Sequence, residues 1–321
     1  PWVQVAAGLS VYPAATVSTA VGWSANAMLF FLALQLFGRR SERARARQAL
    51  LYFGAALSVV SALQFFTSPG RIFWIFQTRY RDQVMGPFVS RDHYSAFVEL
   101  LLPLAVVAAL RNQKRVVAYA AMSAAMFASV IAGASRAGAI LVTLEILALL
   151  VRPALAGGDR PSARKTLARV AALAAVFTLV VGWQVLWQRF QDPDPYRYRQ
   201  EMALSALEMA QERPWAGFGA GTFASVYPGY ALFDVGRFVR HAHNDWAEWA
   251  AENGFGFALL MLLLAGWAAW QTRHRLWALG VVMVLLHSFV DFPMQKTPIA
   301  AILFAFMGML AAASGKQQQS K

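Results

Sequence analysis

The sequence predicts an all-α integral membrane protein with about nine transmembrane helices. Its 321 residues are 58% hydrophobic and 14% charged, and the mean hydropathy is +0.45. Soluble domains are usually about 45–50% apolar and about 25% charged, so this chain has too few charges to cover a soluble surface. We expect a single polytopic membrane domain over residues 1–321. Cysteine is absent, which excludes disulfides and thiolate chemistry.

Nine apolar runs carry this prediction, because each is close to the length of helix that crosses a bilayer. Most of the connections between them are short and polar. The longest connection lies between the sixth and the seventh run. The runs are 15–37, 49–67, 95–110, 116–133, 137–151, 168–187, 254–271, 276–290 and 297–313.

The basic residues fall on alternate connections, as one consistent topology requires. These connections are 39–47, 111–115, 152–169, 273–275 and 316–321. On the opposite side bases and acids balance. By the positive-inside rule the basic connections are cytoplasmic, so the segments 68–94 and 188–253 are external. The net charge of +13 is then a topology signal, and nucleic acid is not an expected partner.

The start of the chain carries no signal-peptide pattern, because Pro1 is followed by no basic segment ahead of an apolar run. The predicted topology places this start on the outer side of the membrane. We therefore expect that the true N-terminus and an odd number of spans are missing from the sequence.

The external segment 188–253 is too long for a plain connection and is expected to contain structure. Apolar residues at helical spacing predict a helix from Tyr198 to Glu212, with Glu201 on its polar face and Pro214 after its end. The glycine-rich turn at 217–221 follows no predicted strand. We therefore reject a dinucleotide site there.

The segment RHAHNDWAEWAAENGFG at 240–256 gathers histidines, acids and tryptophans at the start of a span. One interpretation is an interfacial segment anchored by Trp246 and Trp249. A second is a metal site, since HAHND is part of an HxHxDH motif, although Trp246 stands where the last histidine would be. The third is general-base catalysis, because a neutral external histidine can take a proton from an attacking hydroxyl.

Arg136 is the other unusual residue, because it joins two apolar runs close to lipid. Such an arginine is a functional candidate, and the alternative is that its side chain reaches the external surface. Arginines around an external cleft suit a phosphate or a pyrophosphate, since guanidinium pairs with two oxygens at once and stays charged.

Over nearly its whole length the chain resembles the O-antigen ligase and O-antigen polymerase superfamily of bacterial envelope enzymes. The resemblance depends on the order and spacing of five short segments. They are SRDHYSAFVELLLPLA at 90–105, SRAG at 135–138, ERPWAGFGAGTF at 212–223, His243-Asn244 followed by Gly254 and Gly256, and HSFVDFP at 287–293.

The resemblance implies a GT-C-like helical fold in the bacterial inner membrane, with residues 188–253 as a periplasmic catalytic loop. It implies an inverting glycosyltransferase that needs no metal and no cofactor. The donor would be a glycan on undecaprenyl pyrophosphate, and the acceptor a hydroxyl of the lipid A–core oligosaccharide. Membrane lipids would surround the enzyme. Three further spans ahead of Pro1 would complete the family's usual number of helices.

The residue roles come from the same resemblance. His243 matches the catalytic base, and Arg136 and Arg199 match residues that hold the pyrophosphate. At two positions the chain departs from the family: Ala203 stands where tryptophan is frequent, and the sequence at 90–93 replaces Asn-x-Asn. Asn244 and Glu252 would orient the site or contact the acceptor, and the further substrate contacts would be Arg91, His93, Arg240 and His241.

Several alternatives remain open at the level of sequence. Within the superfamily, the chain could be an O-antigen or exopolysaccharide polymerase, or a protein O-oligosaccharyltransferase. Outside it, a metal-dependent hydrolase and a flippase for lipid-linked glycans are possible. A transporter would place ionisable residues at the middle of its spans. Only Glu99 and Glu145 lie clearly inside predicted spans, which favours an enzyme that faces outward.

Overall fold

The computed structural model of this chain describes residues 1–80, 83–155, 160–193, 196–234, 236 and 238–318. Parts of four predicted connections lie outside the described residues, namely 81–82, 156–159, 194–195, 235, 237 and 319–321. The described part is mostly helical, and its only sheet is the antiparallel pair of strands Arg71–Ile72 and Phe76–Gln77. The all-α class predicted from the sequence is confirmed.

The α-helices of the described residues follow one another in this order: α1 (Trp2–Ala6), α2 (Pro13–Leu36), α3 (Arg40–Thr67), α4 (Arg91–Arg111), α5 (Val116–Gly133), α6 (Arg136–Leu155), α7 (Arg160–Val181), α8 (Gln184–Phe190), α9 (Arg197–Glu212), α10 (Phe223–Val226), α11 (Asp245–Asn253), α12 (Phe255–Thr272), α13 (Leu279–His287) and α14 (Thr297–Gln318). Short 3-10 turns precede α5 and α13 and follow α10 and α13.

Six helical segments of the described chain are long and apolar enough to cross a membrane. They lie in α2, α3, α4, the segment Gln113–Gly133 that contains α5, α12 and α14. A bent pair formed by α7 and α8 makes a seventh if it is counted as one span. The chain is therefore a multi-pass helical membrane protein, and the predicted number of nine spans stays a prediction.

Two of the predicted spans are interrupted. The run at 168–187 is not one straight helix, because α7 ends at Val181 and the chain turns by 89° before α8. Gly182 lies at this bend with a positive φ of 83°, a conformation that glycine adopts without strain. The run at 276–290 begins with a 3-10 turn, and α13 ends at His287.

The basic segment 39–47 is mostly helical rather than a loop. Helix α3 already begins at Arg40 and continues without a break into the apolar run at 49–67. A carboxylate oxygen of Glu42 accepts a hydrogen bond of 3.2 Å from the backbone N–H of Arg39. This contact satisfies an otherwise unpaired N–H at the helix start, and it explains why the helix begins within the charged segment.

The described residues cluster into two compact units. One unit comprises Leu36–Pro193 and Gln271–Val284, and the other comprises Pro1–Gln35, Asp194–Trp270 and Leu285–Lys321. In the first of these, which we call the α4 unit, α4 packs against α3, α5 and α6 and is buried on all its faces. A helix that is apolar all round is the expected centre of a bundle. The single membrane domain over 1–321 stays a prediction.

The other unit, which we call the histidine unit, has its core between α9 and α11. The helix predicted from Tyr198 to Glu212 is α9. Its buried residues Met202, Ala206 and Met209 pack with Ala247 and Ala251 of α11 and with aromatic residues from the segment between these helices. The result is a small hydrophobic core that fixes the start of α11.

The polar face predicted for α9 is wrong at Glu201, which is 3% exposed. Its carboxylate accepts hydrogen bonds from the Tyr227 hydroxyl at 2.6 Å and from the Leu232 backbone N–H at 2.9 Å. A carboxylate can be buried when hydrogen bonds replace water. Glu201 therefore ties the segment after α10 to α9.

Candidate active site

The His243-Asn244 pair sits at the point where an extended segment turns into α11. The Asn244 side-chain oxygen accepts a hydrogen bond of 3.1 Å from the backbone N–H of Ala247 and caps the helix. His243 has a φ of +50°, in the left-handed region that residues other than glycine rarely occupy. Such an uncommon conformation, held by the surrounding structure, is frequent at functional sites.

The His243 ring is oriented by a carboxylate from a distant part of the chain. Its Nδ1 lies 2.9 Å from Oδ1 of Asp291, in the turn after α13. The Asp291 side chain is 2% exposed and the His243 side chain is 31% exposed. A buried acid that holds one ring nitrogen fixes the direction of the other, so His243 is positioned as a general base or acid would be.

A second histidine–carboxylate pair lies beside the first. Nδ1 of His241 is 2.8 Å from Oε1 of Glu248, whose Oε2 accepts a hydrogen bond of 2.7 Å from the Ala242 backbone N–H. Burial, together with the charges of Lys296 and Arg240, lowers the pKa of His241 to about 3. Burial raises the pKa of Glu248 to about 8. Both shifts favour a neutral pair.

Phe292 contacts both histidine rings. The His241 ring stacks on it, with ring centroids 4.4 Å apart, and the His243 ring meets it edge to face at 4.6 Å. The ammonium of Lys296 lies 4.5 Å from the centroid of the same ring. A cation at this distance is attracted by the ring face. The contacts restrain both imidazoles.

A cavity of about 370 Å³ opens next to these residues, entirely within the histidine unit. It presents two imidazoles, one guanidinium and several aromatic rings, a mixture that suits a polar ligand with apolar faces such as a sugar. The residues around it are Tyr198, Met202, Phe238, Val239, Arg240, His241, His243 and Phe292. The structure thus brings the predicted site residues Arg240, His241 and His243 to one cavity.

Arg199 reaches the turn that carries Asp291. It lies on α9, and its Nη1 donates a hydrogen bond of 2.8 Å to the backbone oxygen of Val290. Because Val290 directly precedes the carboxylate that binds His243, the predicted arginine and the predicted base contact the same turn. Their closeness along this turn was not evident from the 44-residue separation in sequence.

Glu252 has a different surrounding from the one expected of a substrate contact. Its two carboxylate oxygens accept hydrogen bonds from the backbone N–H groups of Gly221 at 2.8 Å and Phe223 at 2.9 Å. Burial and the charge of Glu248 raise its pKa to about 8, although these amides act in the opposite direction. Glu252 therefore holds the glycine-rich turn against α11, and its predicted contact with the acceptor stays a prediction.

The other predicted residues, Arg136, Arg91 and His93, belong to the α4 unit, and the two arginines lie at the turn between α5 and α6. Nη1 of Arg136 donates to the Arg189 backbone oxygen at 2.8 Å, and Nη1 of Arg189 donates to the Ala134 oxygen at 2.7 Å. Nη1 of Arg91 lies 3.5 Å from the Gly133 oxygen. The site predictions for Arg136, Arg91 and His93 stay predictions.

Buried hydroxyls support this turn. The Ser135 hydroxyl donates to Oδ1 of Asp92 at 2.7 Å and accepts from the Gly138 backbone N–H at 3.2 Å. His93 follows Asp92 on α4 and is 8% exposed. The two residues of the Ser-Arg pair therefore have different contacts. Ser135 fixes the start of α6, and Nη1 of Arg136 lies 3.8 Å from Oδ2 of Asp192.

Three residues of these sites were not predicted from the sequence. Asp291 lies in HSFVDFP, a segment that contributed to the resemblance without a role for its acid. Glu248 falls four residues into α11, and its i, i+4 relation to Asn244 gave no hint that it would bind His241. Arg189 lies in the segment 188–253, where no sequence pattern predicts a role for it. Spatial pairing across distant segments has no local pattern in a single sequence.

The arrangement defines a multi-pass helical membrane protein with an acid-oriented histidine at a polar cavity. The family model for O-antigen ligases matches residues 95–260, just over half of the chain and from α4 into α12. The chain belongs to the O-antigen ligase family, a family of glycosyltransferase-like membrane enzymes of lipopolysaccharide biosynthesis that act on lipid-linked glycans. A search of curated proteins finds no match.

Proposed function

We propose that this chain transfers a glycan from undecaprenyl pyrophosphate to a hydroxyl of the lipid A–core oligosaccharide, at the periplasmic face of the inner membrane. The observation that carries the proposal is the geometry of His243, whose Nδ1 is held by buried Asp291 while its ring borders the cavity. Family membership supplies the reaction class, and the cavity supplies a place for the reacting hydroxyl.

In the proposed reaction His243 acts as a general base. Its Nε2 takes the proton of the acceptor hydroxyl as that oxygen forms a bond to the anomeric carbon. The bond from this carbon to the pyrophosphate oxygen breaks on the opposite side, and the electron pair leaves with the pyrophosphate. Attack from the opposite side inverts the configuration of the sugar. Asp291 stabilises the imidazolium that forms, as acids behind catalytic histidines do.

The leaving pyrophosphate gains charge as the bond breaks, and arginines would stabilise that charge more in the transition state than before it. Arg199 contacts the turn that carries Asp291, and Arg240 lines the cavity. We propose that both contact the donor. The same role for Arg136 comes from the family resemblance, and each of the three arginines can be tested separately by substitution.

Asn244 and Glu252 both stabilise the local structure around the site. Asn244 caps α11 and Glu252 binds two backbone amides. Their proposed part in transfer is to hold His243 and the glycine-rich turn in place.

The proposed reaction needs no metal, and we expect purified activity to be unchanged by a chelator such as EDTA. Loss of activity with EDTA and recovery with a divalent cation would instead support a metal-dependent mechanism.

The decisive experiment is transfer by the His243→Ala variant, with His274→Ala as the matched control. His274 is exposed and lies in the α4 unit, outside the cavity. We expect His243→Ala to lower the transfer rate by about 10²–10⁴-fold while the protein still accumulates in the membrane. His274→Ala should transfer normally. Near-normal transfer by His243→Ala would contradict the role of general base.

Deletion of the gene, followed by gel analysis of surface glycans, tests the choice of acceptor. Full-length lipid-linked chains that are not joined to core would support the ligase. Single repeats on core would indicate a polymerase instead. An unchanged lipopolysaccharide profile would contradict the proposed acceptor and direct attention to a protein acceptor.

A further inference from the structure

The α4 unit contains a second cavity, of about 330 Å³, that the proposed reaction does not use. Its polar wall comes from the first turns of α3 and from the connection between α4 and α5, with Trp277 from the turn before α13. Three of its residues are arginines, namely Arg47, Arg111 and Arg115. We call it the arginine cavity.

The charge in the arginine cavity is one-sided. None of the residues that line it is acidic. Within the described part of the chain, none of the three arginines forms an ion pair with a carboxylate. Like charges brought together without a counterion repel each other, so the arrangement favours the binding of an anion. Guanidinium groups bind phosphate oxygens especially well.

One of the arginines is held in place before any ligand arrives. The Arg47 guanidinium carbon lies 5.0 Å from the centre of the Trp277 ring, a favourable cation–π distance. The connection that carries Arg115 is also fixed, because the Arg115 backbone N–H donates a hydrogen bond of 3.2 Å to the Asn112 side-chain oxygen. Arg111 and Arg115 are exposed, so a ligand can reach them from outside.

The remaining wall of the arginine cavity is apolar. Leu51, Leu104 and Val107 line it and belong to the buried core of the α4 unit. They form an apolar floor with little exposed area, which suits the hydrocarbon beside a lipid headgroup better than a hydrated free phosphate. The combination of basic and apolar walls therefore matches a ligand with a phosphate head and a hydrocarbon tail.

The location along the chain agrees with such a ligand. The arginines belong to the basic segments 39–47 and 111–115, and Trp277 directly follows the segment 273–275. These are connections that the positive-inside rule assigns to the cytoplasmic face. In a multi-pass membrane protein, helix ends at this face lie at the level of the lipid headgroups, where anionic lipids are available.

We propose that the arginine cavity binds the phosphate of an anionic phospholipid of the cytoplasmic leaflet, with part of an acyl chain against Leu51, Leu104 and Val107. This site is distinct from the donor and acceptor chemistry proposed for His243, and it stands whether or not that proposal holds.

The test uses the purified full chain in detergent and native mass spectrometry with dioleoyl phosphatidylglycerol or dioleoyl phosphatidylcholine at equal concentration. We expect the wild-type chain to retain the anionic lipid preferentially. Each arginine near a lipid phosphate contributes about 1 kcal/mol, or about fivefold in affinity. The variant Arg47→Gln, Arg111→Gln, Arg115→Gln should therefore bind phosphatidylglycerol about a hundredfold more weakly.

The matched control is Arg40→Gln, Arg45→Gln, Lys114→Gln. It removes the same charge from the same two connections, and none of its residues lines the cavity. The control should keep wild-type binding. Equal loss in both triple variants would overturn the proposal, because it would show attraction to general surface charge. Unchanged binding in the cavity variant would overturn it as well.

Two further measurements guard against misfolding and against a soluble ligand. If the triple variant elutes as aggregate on size exclusion, Arg111→Gln alone, at an exposed position, replaces it and should weaken binding by about fivefold. Glycerol 1-phosphate, which has the head but no tail, should not displace phosphatidylglycerol at millimolar concentration. Displacement would overturn the lipid assignment and indicate a soluble phosphate ester.

Discussion

His243 acquires its place in the structure from two constraints that act on opposite sides of the residue. Its backbone has a left-handed φ of +50°, directly before Asn244, which caps α11. Its ring is held by Asp291, 48 residues further along the chain. The first constraint is local to α11, whereas the second depends on a segment that meets His243 only in the fold. Residue-scale tests should therefore concentrate on the second.

Asp291→Asn removes the charge that orients His243 but keeps the size of the side chain. We expect kcat for glycan transfer to fall by about 10²–10⁴-fold, because an amide can stabilise the wrong tautomer of the ring and cannot stabilise the imidazolium. KM for the lipid-linked donor should change little. Steady-state transfer kinetics measure both constants.

The control for this change is Asp234→Asn, an exposed acid of the same unit whose side chain accepts a hydrogen bond from the Gly236 backbone N–H in its own turn. It should keep normal kinetics. An Asp291→Asn variant with normal kcat would show that the carboxylate is dispensable for orientation. A rise in KM alone would assign Asp291 to substrate binding instead.

The buried carboxyls of α11 predict a pH dependence of stability. Burial raises the pKa of Glu248 and of Glu252 from about 4.5 to about 8, so the folded chain keeps protons that the unfolded chain has lost. Stability should then fall as pH rises from 6.5 to 8. His241 acts in the opposite sense, but its lowered pKa confines its effect to pH values below about 6.5.

Glu248→Gln should remove one of these two titrations, because glutamine cannot ionise. We expect the wild-type melting temperature in detergent to decrease between pH 6.5 and 8, and the decrease to be less steep in the variant, where Glu252 and Asp245 keep pKa values raised by burial. The slope per carboxyl is up to about 1.4 kcal/mol per pH unit. Identical slopes for the two proteins would contradict the raised pKa of Glu248.

At the scale of elements, the contact between α11 and the glycine-rich turn decides the shape of the histidine unit. Gly217 has a φ of +63°, and a Cβ there would collide with the backbone of Glu252 and Asn253. Gly217→Ala should destabilise the protein by about 2–4 kcal/mol, through backbone strain and displacement of the turn. The melting temperature of the variant measures the loss of stability, and a donor-binding assay shows whether the folded variant still binds the lipid-linked donor.

Gly236→Ala separates these two causes. Gly236 has a similar φ of +69°, but among the described residues no atom beyond its chain neighbours lies within 4 Å of the position that its Cβ would occupy. In this variant only the backbone conformation is strained, and we expect its free energy of unfolding to fall by about 1 kcal/mol. Equal losses in both variants would mean that close packing against α11 adds nothing.

The elements and the site differ in how much of them the sequence predicts. Apolar periodicity located α9 within one residue of its observed start, because a helix face repeats locally. The burial of Glu201, the bend at Gly182 and the pairs His243–Asp291 and His241–Glu248 depend on segments that meet only in the fold. A local sequence pattern contains no information on contacts between distant segments, so the sequence predicted the catalytic histidine His243 but not its partner Asp291.

At the scale of the whole molecule, we interpret the net charge of +13 as a signal for the orientation of the chain in the membrane. Basic residues on alternate connections favour a cytoplasmic location, and helix α3 shows that such residues can lie within the first turns of a span. If this orientation is correct, the connection between α4 and α5 faces the cytoplasm and α9 faces the periplasm. The absence of cysteine makes the orientation directly measurable.

Single cysteines at Lys114 and Gln211 would report the two sides, because both residues are exposed and the remaining chain has no thiol. In right-side-out vesicles, a membrane-impermeant maleimide should label Gln211→Cys at once and Lys114→Cys only after the bilayer is permeabilised. Inside-out vesicles should give the reverse pattern, which controls for differences in reactivity. Labelling of Lys114→Cys alone in right-side-out vesicles would invert the topology and place His243 on the cytoplasmic side, where the periplasmic reaction proposed here could not occur.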